Sequence, residues 1–342
     1  MTDVELRVVT ASAPGRLCLA GESLDWMTGG SSVVAAVPLR TRVSAWRAPG
    51  GDALALSSGA PLHRTRLLPA QRAAERRYDG DELDHLQAAA RVALREVGRI
   101  AGTVLTATTD LPVSAGLSSS AALTLSAVAA LAGLSGAALD VDAVCCLARR
   151  AEAGELGSGA GWMDFLACAH GGVNQVDAGE VPGVRRLAAT LGVPVILIDT
   201  RQRRATRTVL ASKRDRFQAR EPDMIAYSRE APLLVDVLTG VLTASVVDFR
   251  EAGRLVSAYH GLLRDKVRCS TGLIDTCARL VVAAGAFGAK LSGSGHGGCL
   301  FALVPGDAVT SVLRSLADLP VHTIVLPDGE PDGLIVNGRS AG

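Results

Sequence analysis

Aromatic side chains are scarce in this 342-residue chain: three Trp, three Tyr and five Phe make up 3% of it. So thin a supply offers no stacking platform for nucleic-acid bases. Charge of one sign is missing as well. The 35 Lys and Arg stand against 34 Asp and Glu, a formal net charge of +1, so neither nucleic acid nor an anionic membrane is predicted as a partner. The short basic run at 201–204 reads as a solvated face.

The seven cysteines (Cys18, Cys145, Cys146, Cys168, Cys269, Cys277 and Cys299) form no C-x-x-C pair. That spacing argues against a zinc site or a disulfide framework and for small buried thiols in a reducing compartment. The first residues, MTDVELRVV, are partly acidic and lack a long apolar stretch, unlike a signal peptide. No charge occurs between Asp110 and Asp140, yet the continuous helical part, about 121–134, is too short for a bilayer core of about 30 Å. These absences predict a soluble, cytoplasmic protein. The chain also has no internal repeat, no low-complexity linker and no G-x-x-x-x-G-K-[ST] phosphate loop.

What is present begins with length, which suits one large or two moderate domains; a division near residue 190 gives 1–190 and 191–342. β-Rich stretches are expected at 6–11, 17–20, 32–37 and 42–46, and a helix over 83–97, where Leu83, Leu86, Ala90 and Leu94 keep helical spacing. A strand at 102–108 leads into a glycine-serine loop and the uncharged helix. Further helices are expected at 140–153, 207–220, 232–242, 247–263 and 271–284, with a strand at 194–199. The last segment reads strand, glycine loop, strand.

Three glycine-rich segments carry the chemistry. The stretch PVSAGLSSSAALTLSAV (112–128) puts Gly116, Leu117, Ser118, Ser119, Ser120 and Ala121 at a helix start. Bare amides and the positive end of the helix dipole suit a phosphate there, while a serine merely capping a buried helix accounts for the same pattern. The stretch SAPGRLCLAGESLDWMTGG (12–30) places Arg16 in an apolar strand, with Glu22 and Asp25 in a loop. Arginine suits a developing phosphoryl charge and carboxylates suit sugar hydroxyls; a surface hairpin with ordinary charges is the alternative. In GAFGAKLSGSGHGGC (285–299), close interdomain packing explains the glycines as well as ligand contact does, and His296 reads as incidental.

Order and distance separate these alternatives. APGR-LCLAGE-SLD, GLSSSAAL and GAKLSGSGHGGC, in register from about residue 11 to 304, resemble the three motifs of the GHMP kinases, the superfamily of galactokinase, homoserine kinase and mevalonate kinase. AEAGELGSGAGWMD (151–164) resembles a galactokinase stretch in which a Glu precedes a glycine loop and an M-D pair. HGLLRD (260–265) resembles the sugar-kinase and mevalonate-kinase branches.

The resemblance implies an α+β, two-domain fold: a mixed α/β amino-terminal domain, a ferredoxin-like carboxy-terminal domain, and an active site in the cleft between them. It implies ATP phosphates on residues 116–121, Mg²⁺ on Ser120 and Glu152, and Asp164 taking or orienting the proton of the attacking hydroxyl beside Arg16. Glu22, Ser23, Asp25 and Gly161 would line the sugar. Read without the resemblance, Asp164 is equally a helix cap and Glu152 a solvated helix charge. Ser23 stands where galactokinases carry a histidine and Trp26 where they carry a tyrosine, which points away from galactose toward a longer sugar such as a heptose or octose. The implied activity is a sugar 1-kinase. A mevalonate-type kinase is the alternative, needing an additional cation where Glu22 and Asp25 would repel a carboxylate; a non-catalytic sugar sensor is another, against which the intact Ser118–Ser120 and Asp164 speak.

Overall fold

A computed structural model describes residues 7–340 apart from 50, 61, 99–101, 114, 204–205, 328 and 338. Most of the amino-terminal stretch read for a leader, the first residue of the strand expected at 6–11, and part of the basic run at 201–204 lie outside the described residues.

The first half holds strands β1 (Val9–Ala20), β2 (Ser32–Arg47), β3 (Ala53–Ser58), β4 (Arg64–Pro69), β5 (Thr103–Thr109), β6 (Val173–Asp177) and β7 (Gly183–Ala188). Its helices are α1 (Leu24–Met27), α2 (Ala70–Ala74), α3 (Leu83–Val97), α4 (Ser119–Ser135), α5 (Val141–Arg149) and α6 (Met163–His170), with a π-helical turn at Arg150–Glu155. The second half holds β8 (Val195–Asp199), β9 (Gly288–Leu291), β10 (Cys299–Leu303) and β11 (His322–Val325). Between β8 and β9 run α7 (Thr206–Gln218), α8 (Pro222–Leu242), α9 (Phe249–Leu262) and α10 (Gly272–Ala283), and α11 (Val309–Ser315) precedes β11. The short β12 (Ile335–Val336) and β13 (Arg339–Ser340) end the chain.

Two sheets result. The larger runs β13-β12-β1-β2-β5-β3-β4, with β6 on the first part of β2 and β7 beyond it. The smaller runs β11-β8-β10-β9, all antiparallel, so its βαββαβ sequence has the 4-1-3-2 order of a ferredoxin-like unit. The sheets part between β7 and β8, but β12 pairs with β1, returning the end of the chain to the first sheet. A single cut near 190 therefore does not separate them.

The two expected strand pairs at the start are each one long strand. Pro14–Gly15, a dipeptide with the composition of a turn, is a register slip inside β1, opposite Arg40 and Val37 of β2. Such an irregularity bends a strand without ending it, and Arg16 follows it directly. The helix expected from Pro232 starts ten residues earlier, at Pro222. Met224, Tyr227, Ala231, Val235, Leu238 and Leu242 bury one face across the internal proline, which outweighs its lost hydrogen bond.

Helix α4 explains the uncharged stretch. It packs on β1, β2, α3, α5 and α6, so it has no solvent face to carry charge. Its polar side chains turn inward to backbone: Thr124 Oγ1 donates to the Ser120 carbonyl at 3.1 Å and Ser126 Oγ to the Ala122 carbonyl at 2.7 Å. Among the described residues no helix is long and apolar enough to cross a membrane. All seven cysteines are free thiols, Cys145 buried and Cys146 exposed, as adjacent helical positions require.

In the second half, α9 lies so close on β9 that a Cβ at Gly288 would collide with the Gly253 backbone. Gly288→Ala is therefore expected to cost about 1–3 kcal/mol as overpacking, read as a lower denaturant midpoint with an unchanged m-value.

Candidate active site

The three glycine-rich segments converge. Gly116 adopts φ +83° against the Ser292 carbonyl, and a Cβ at Gly293 would stand 2.7 Å from Gly116 Cα. Cys299 N donates to the Ala115 carbonyl at 2.8 Å, and Ser292 Oγ to the Gly116 carbonyl at 3.1 Å. Gly293 and Gly298 thus serve close packing of one loop on the other, while Gly295 and Gly297 pack against Cys269 and Gln202. His296 takes part through its backbone amide, which donates to the Cys269 carbonyl at 2.6 Å.

Above this junction lies a cleft of about 350 Å³ between the two halves. Arg16, Glu22, Ser23, Asp25, Gly116, Ser118, Ser119, Ser120, Glu152, Gly161 and Asp164 all line it. Leu117 and Ala121 do not: both side chains are buried in the core, and Leu117 meets the site only through its carbonyl, which accepts from Arg16 N at 3.1 Å. They can offer a ligand backbone alone.

Serine capping does not account for the loop. Ser118 occupies the N-cap of α4 in the left-handed region (φ 59°), and its side chain caps nothing. Its Oγ is buried with no hydrogen-bond partner among the described residues. Capping therefore leaves both the left-handed conformation and the unpartnered hydroxyl of Ser118 unexplained.

Asp164 is likewise no cap; Trp162 holds that position of α6. Arg16, 3% exposed, donates to Asp164 Oδ1 from Nε at 2.9 Å and Nη2 at 2.7 Å, and from Nη1 to the Gly116 carbonyl at 2.7 Å. Burial works against the Arg16 charge, but Asp164 more than offsets it and the guanidinium pKa is raised. Both contacts fall on Oδ1, so Oδ2 is the oxygen turned to other partners.

Glu152 is not solvated: it is 6% exposed and sits in the π-helical turn that prolongs α5. Its Oε1 accepts from Ser120 Oγ at 2.9 Å, and its Oε2 is buried without a partner. Burial pushes its carboxyl up, against the pull of His85 and Ser120. Asp25 is pushed up to about 6 by burial and by the charge of Asp164. Gly161 makes room for it: a Cβ there would collide with the Asp25 carboxylate.

Glu22 departs from expectation. One carboxylate oxygen is engaged by Lys290 Nζ, which also donates to the Cys18 and Leu291 carbonyls, each at 2.8 Å. The other, Oε2, is buried and unpartnered among the described residues. The signal for Lys290 was available, since a lone Lys interrupts the apolar run of GAKLSG. His85, Arg207 and Leu210 also line the cleft and lie outside every motif. Arg207 and Arg214 of α7 reach the Leu156 and Gly159 carbonyls at 2.8 and 2.6 Å, and Arg214 lies 5.2 Å from the centre of the Trp26 ring.

Known proteins resemble this chain along most of its length. Residues 84–172 match the GHMP kinases N terminal domain and residues 244–321 the GHMP kinases C terminal domain. A galactokinase of Mycobacterium tuberculosis is 30% identical over 89% of this chain and 91% of its own length. A mevalonate kinase of Pyrococcus abyssi is 27% identical over 94% of this chain and 97% of its own. Lactococcus lactis galactokinase complexed with galactose superposes with a TM-score of 0.82 at 20% identity, covering 96% of this chain and 95% of that one. With the motifs in register, the two-domain fold and a galactokinase relative along most of its length, this chain belongs to the GHMP kinase superfamily.

Proposed function

We propose that this chain is an ATP-dependent kinase acting on the anomeric hydroxyl of a monosaccharide, yielding ADP and a sugar 1-phosphate. The reading rests above all on the Arg16–Asp164 pair, set in one cleft with an uncapped, left-handed serine loop. Phosphoryl transfer asks a protein chiefly for positioning and charge stabilisation. The amides of residues 116–120 and the idle Ser118 hydroxyl receive the phosphates. The hydroxyl proton passes to Asp164, the sugar oxygen bonds to the γ-phosphorus, and the bond to the β–γ bridging oxygen breaks with ADP leaving. Arg16 fixes the Asp164 carboxylate and the Gly116 carbonyl in one frame.

An adjoining pocket of about 140 Å³ shares His85, Ser119 and Ser120 with the cleft and is walled by Leu62, Leu83, Leu86, Val113 and Leu123. Its apolar walls suit the adenine ring. Mg²⁺ fits Ser120 and Glu152, whose hydroxyl and orphaned Oε2 supply two oxygens. Among the described residues no cluster of three or more His, Cys, Asp or Glu could hold an ion, and Mg²⁺ that completes its shell with phosphates and water needs none. When bound, the ion neutralises charge on the phosphates.

The substrate end offers hydrogen-bond acceptors: Glu22 Oε2, Asp25 and Asp164. Acceptors favour an uncharged polyol, whose hydroxyls donate. A mevalonate-type substrate would set its carboxylate against Asp25 and Asp164, while the buried cations turn their donors elsewhere, Arg16 to Asp164 and the Gly116 carbonyl and Lys290 to Glu22 and two carbonyls. Ser23, small and at the cleft wall, leaves length for a heptose or octose.

Asp164→Ala is expected to lower kcat about 10²–10⁴-fold with nucleotide affinity kept, in an ADP-release assay over a sugar panel that includes mevalonate. Phosphorus NMR of the product must place the phosphate on the anomeric carbon; a primary-carbon ester would refute the sugar 1-kinase reading. Asp25, pushed up to about 6 by burial and by Asp164, accepts from sugar hydroxyls more strongly once ionised. KM for the sugar should therefore rise as pH falls through 6, and Asp25→Asn should abolish that step, holding KM near the low-pH wild-type value throughout.

A further inference from the structure

The π-helical turn that carries Glu152 ends at Glu155, and Glu155 is held far more heavily than a loop carboxylate needs. Arg91 of α3 forms an ion pair with it in a nearly dry setting, the side chains 8% and 12% exposed. Tyr78 Oη donates to Oε2 at 3.0 Å, and Arg95 stands 3.7 Å from Oε1. Arg76 grips the backbone of the same turn: Nε and Nη2 donate to the Glu155 carbonyl at 3.1 and 2.9 Å, and Nη2 also donates to the Gly154 carbonyl. Burial, reinforced by Glu155, raises the Tyr78 pKa, so the phenol keeps its proton and donates.

A π-helical turn is rare and has poorer hydrogen bonding than an α-helix, so it persists where the surroundings determine it. Here Leu156 N reaches back to the Ala151 carbonyl at a long 3.3 Å. The Glu152 side chain, by contrast, has among the described residues a single hydrogen bond, from Ser120, and a buried oxygen with none. The anchoring lies three residues away from the group it would serve.

We propose that Glu155 is a positioning residue: clamped by Arg91, Tyr78 and Arg76, it holds the π-helical turn open so that the free oxygen of Glu152 meets the nucleotide-bound Mg²⁺. The inference rests on reading Glu152 as a metal ligand, and adds an outer layer on α3 and the loop before it that none of the motifs includes. Partners that orient a ligand from behind are typically worth about 10–100-fold in metal affinity.

The test needs no sugar and no turnover. ADP binding is followed by titration calorimetry at increasing MgCl₂, giving the Mg²⁺ concentration for half-maximal tightening. Glu155→Gln, which keeps shape and loses charge, should raise that concentration about tenfold while leaving metal-free ADP affinity unchanged. Tyr78→Phe, which removes one hydrogen bond and no charge, should move it in the same direction by less, and carries the measurement should Glu155→Gln not fold. A merely structural clamp would lower the melting temperature and leave the Mg²⁺ titration superimposed on wild type; that result overturns the proposal. Glu152→Gln is the reference arm. If it too leaves the Mg²⁺ dependence unmoved, the metal reading of Glu152 fails, and this inference with it; a shift there without one in either clamp variant sinks the inference alone.

Discussion

A single buried guanidinium ties the molecule together. Arg16 is almost wholly withdrawn from water, and a charge so placed is tolerable only with its donors satisfied. Its partners come from three separate parts of the chain: Asp164 on α6, the Gly116 carbonyl before α4, and Ser292 Oγ at 3.5 Å from the second half. Satisfying the arginine thus fixes the distance between the carboxylate, the serine loop and the far wall of the cleft. Stability and geometry of the site come from the same set of hydrogen bonds.

A second buried cation repeats the device farther along β1. Lys290 joins the second half to Glu22 and the Cys18 carbonyl, with Tyr259 and Phe301 rings 5.5 and 5.7 Å from its ammonium. Tyr227 Oη donates to the Glu22 carbonyl and shares a 2.6 Å hydrogen bond with Tyr259. The contacts of Lys290 with Glu22 and the Cys18 carbonyl, and of Tyr227 with the Glu22 carbonyl, cross between the halves. The loop bearing Glu22, Ser23 and Asp25 is therefore shaped as much by α8, α9 and β9 as by its own sequence.

Much of this was legible before any coordinates. The 3.6-residue rhythm of Leu83, Leu86, Ala90 and Leu94 sets α3 to its observed bounds, and the charge-free stretch correctly announces a helix with no wet side. The residues in motif register mostly meet in one cleft. What stayed hidden depends on contacts distant in sequence. β4 is a short edge strand and β3 a short strand beside it, whose Leu54 and Leu56 are too few to set a period. Pro14–Gly15 carries the signature of a turn, but pairing with β2 on both sides keeps the strand running. Pro232 looks like a helix start because local preference says so, and a buried face from Met224 to Leu242 overrides it. The engagement of Glu22 by Lys290 joins residues 268 positions apart, beyond any local pattern.

The return of β12 to β1 has a mechanical consequence. The backbone crosses between the halves twice, at 189–194 and at 326–334, and both crossings border one apolar cavity, so they lie side by side. Two adjacent tethers resist twisting and sliding and leave rocking about their common line as the soft motion. The interlocked glycines at 116 and 293 pin the floor of the cleft against it, while the rim near α7 is closed by two arginine-to-carbonyl contacts, from Arg207 and Arg214. Any relative rocking of the halves would part the cleft at that rim, as a purse opens at its clasp and not along its seam.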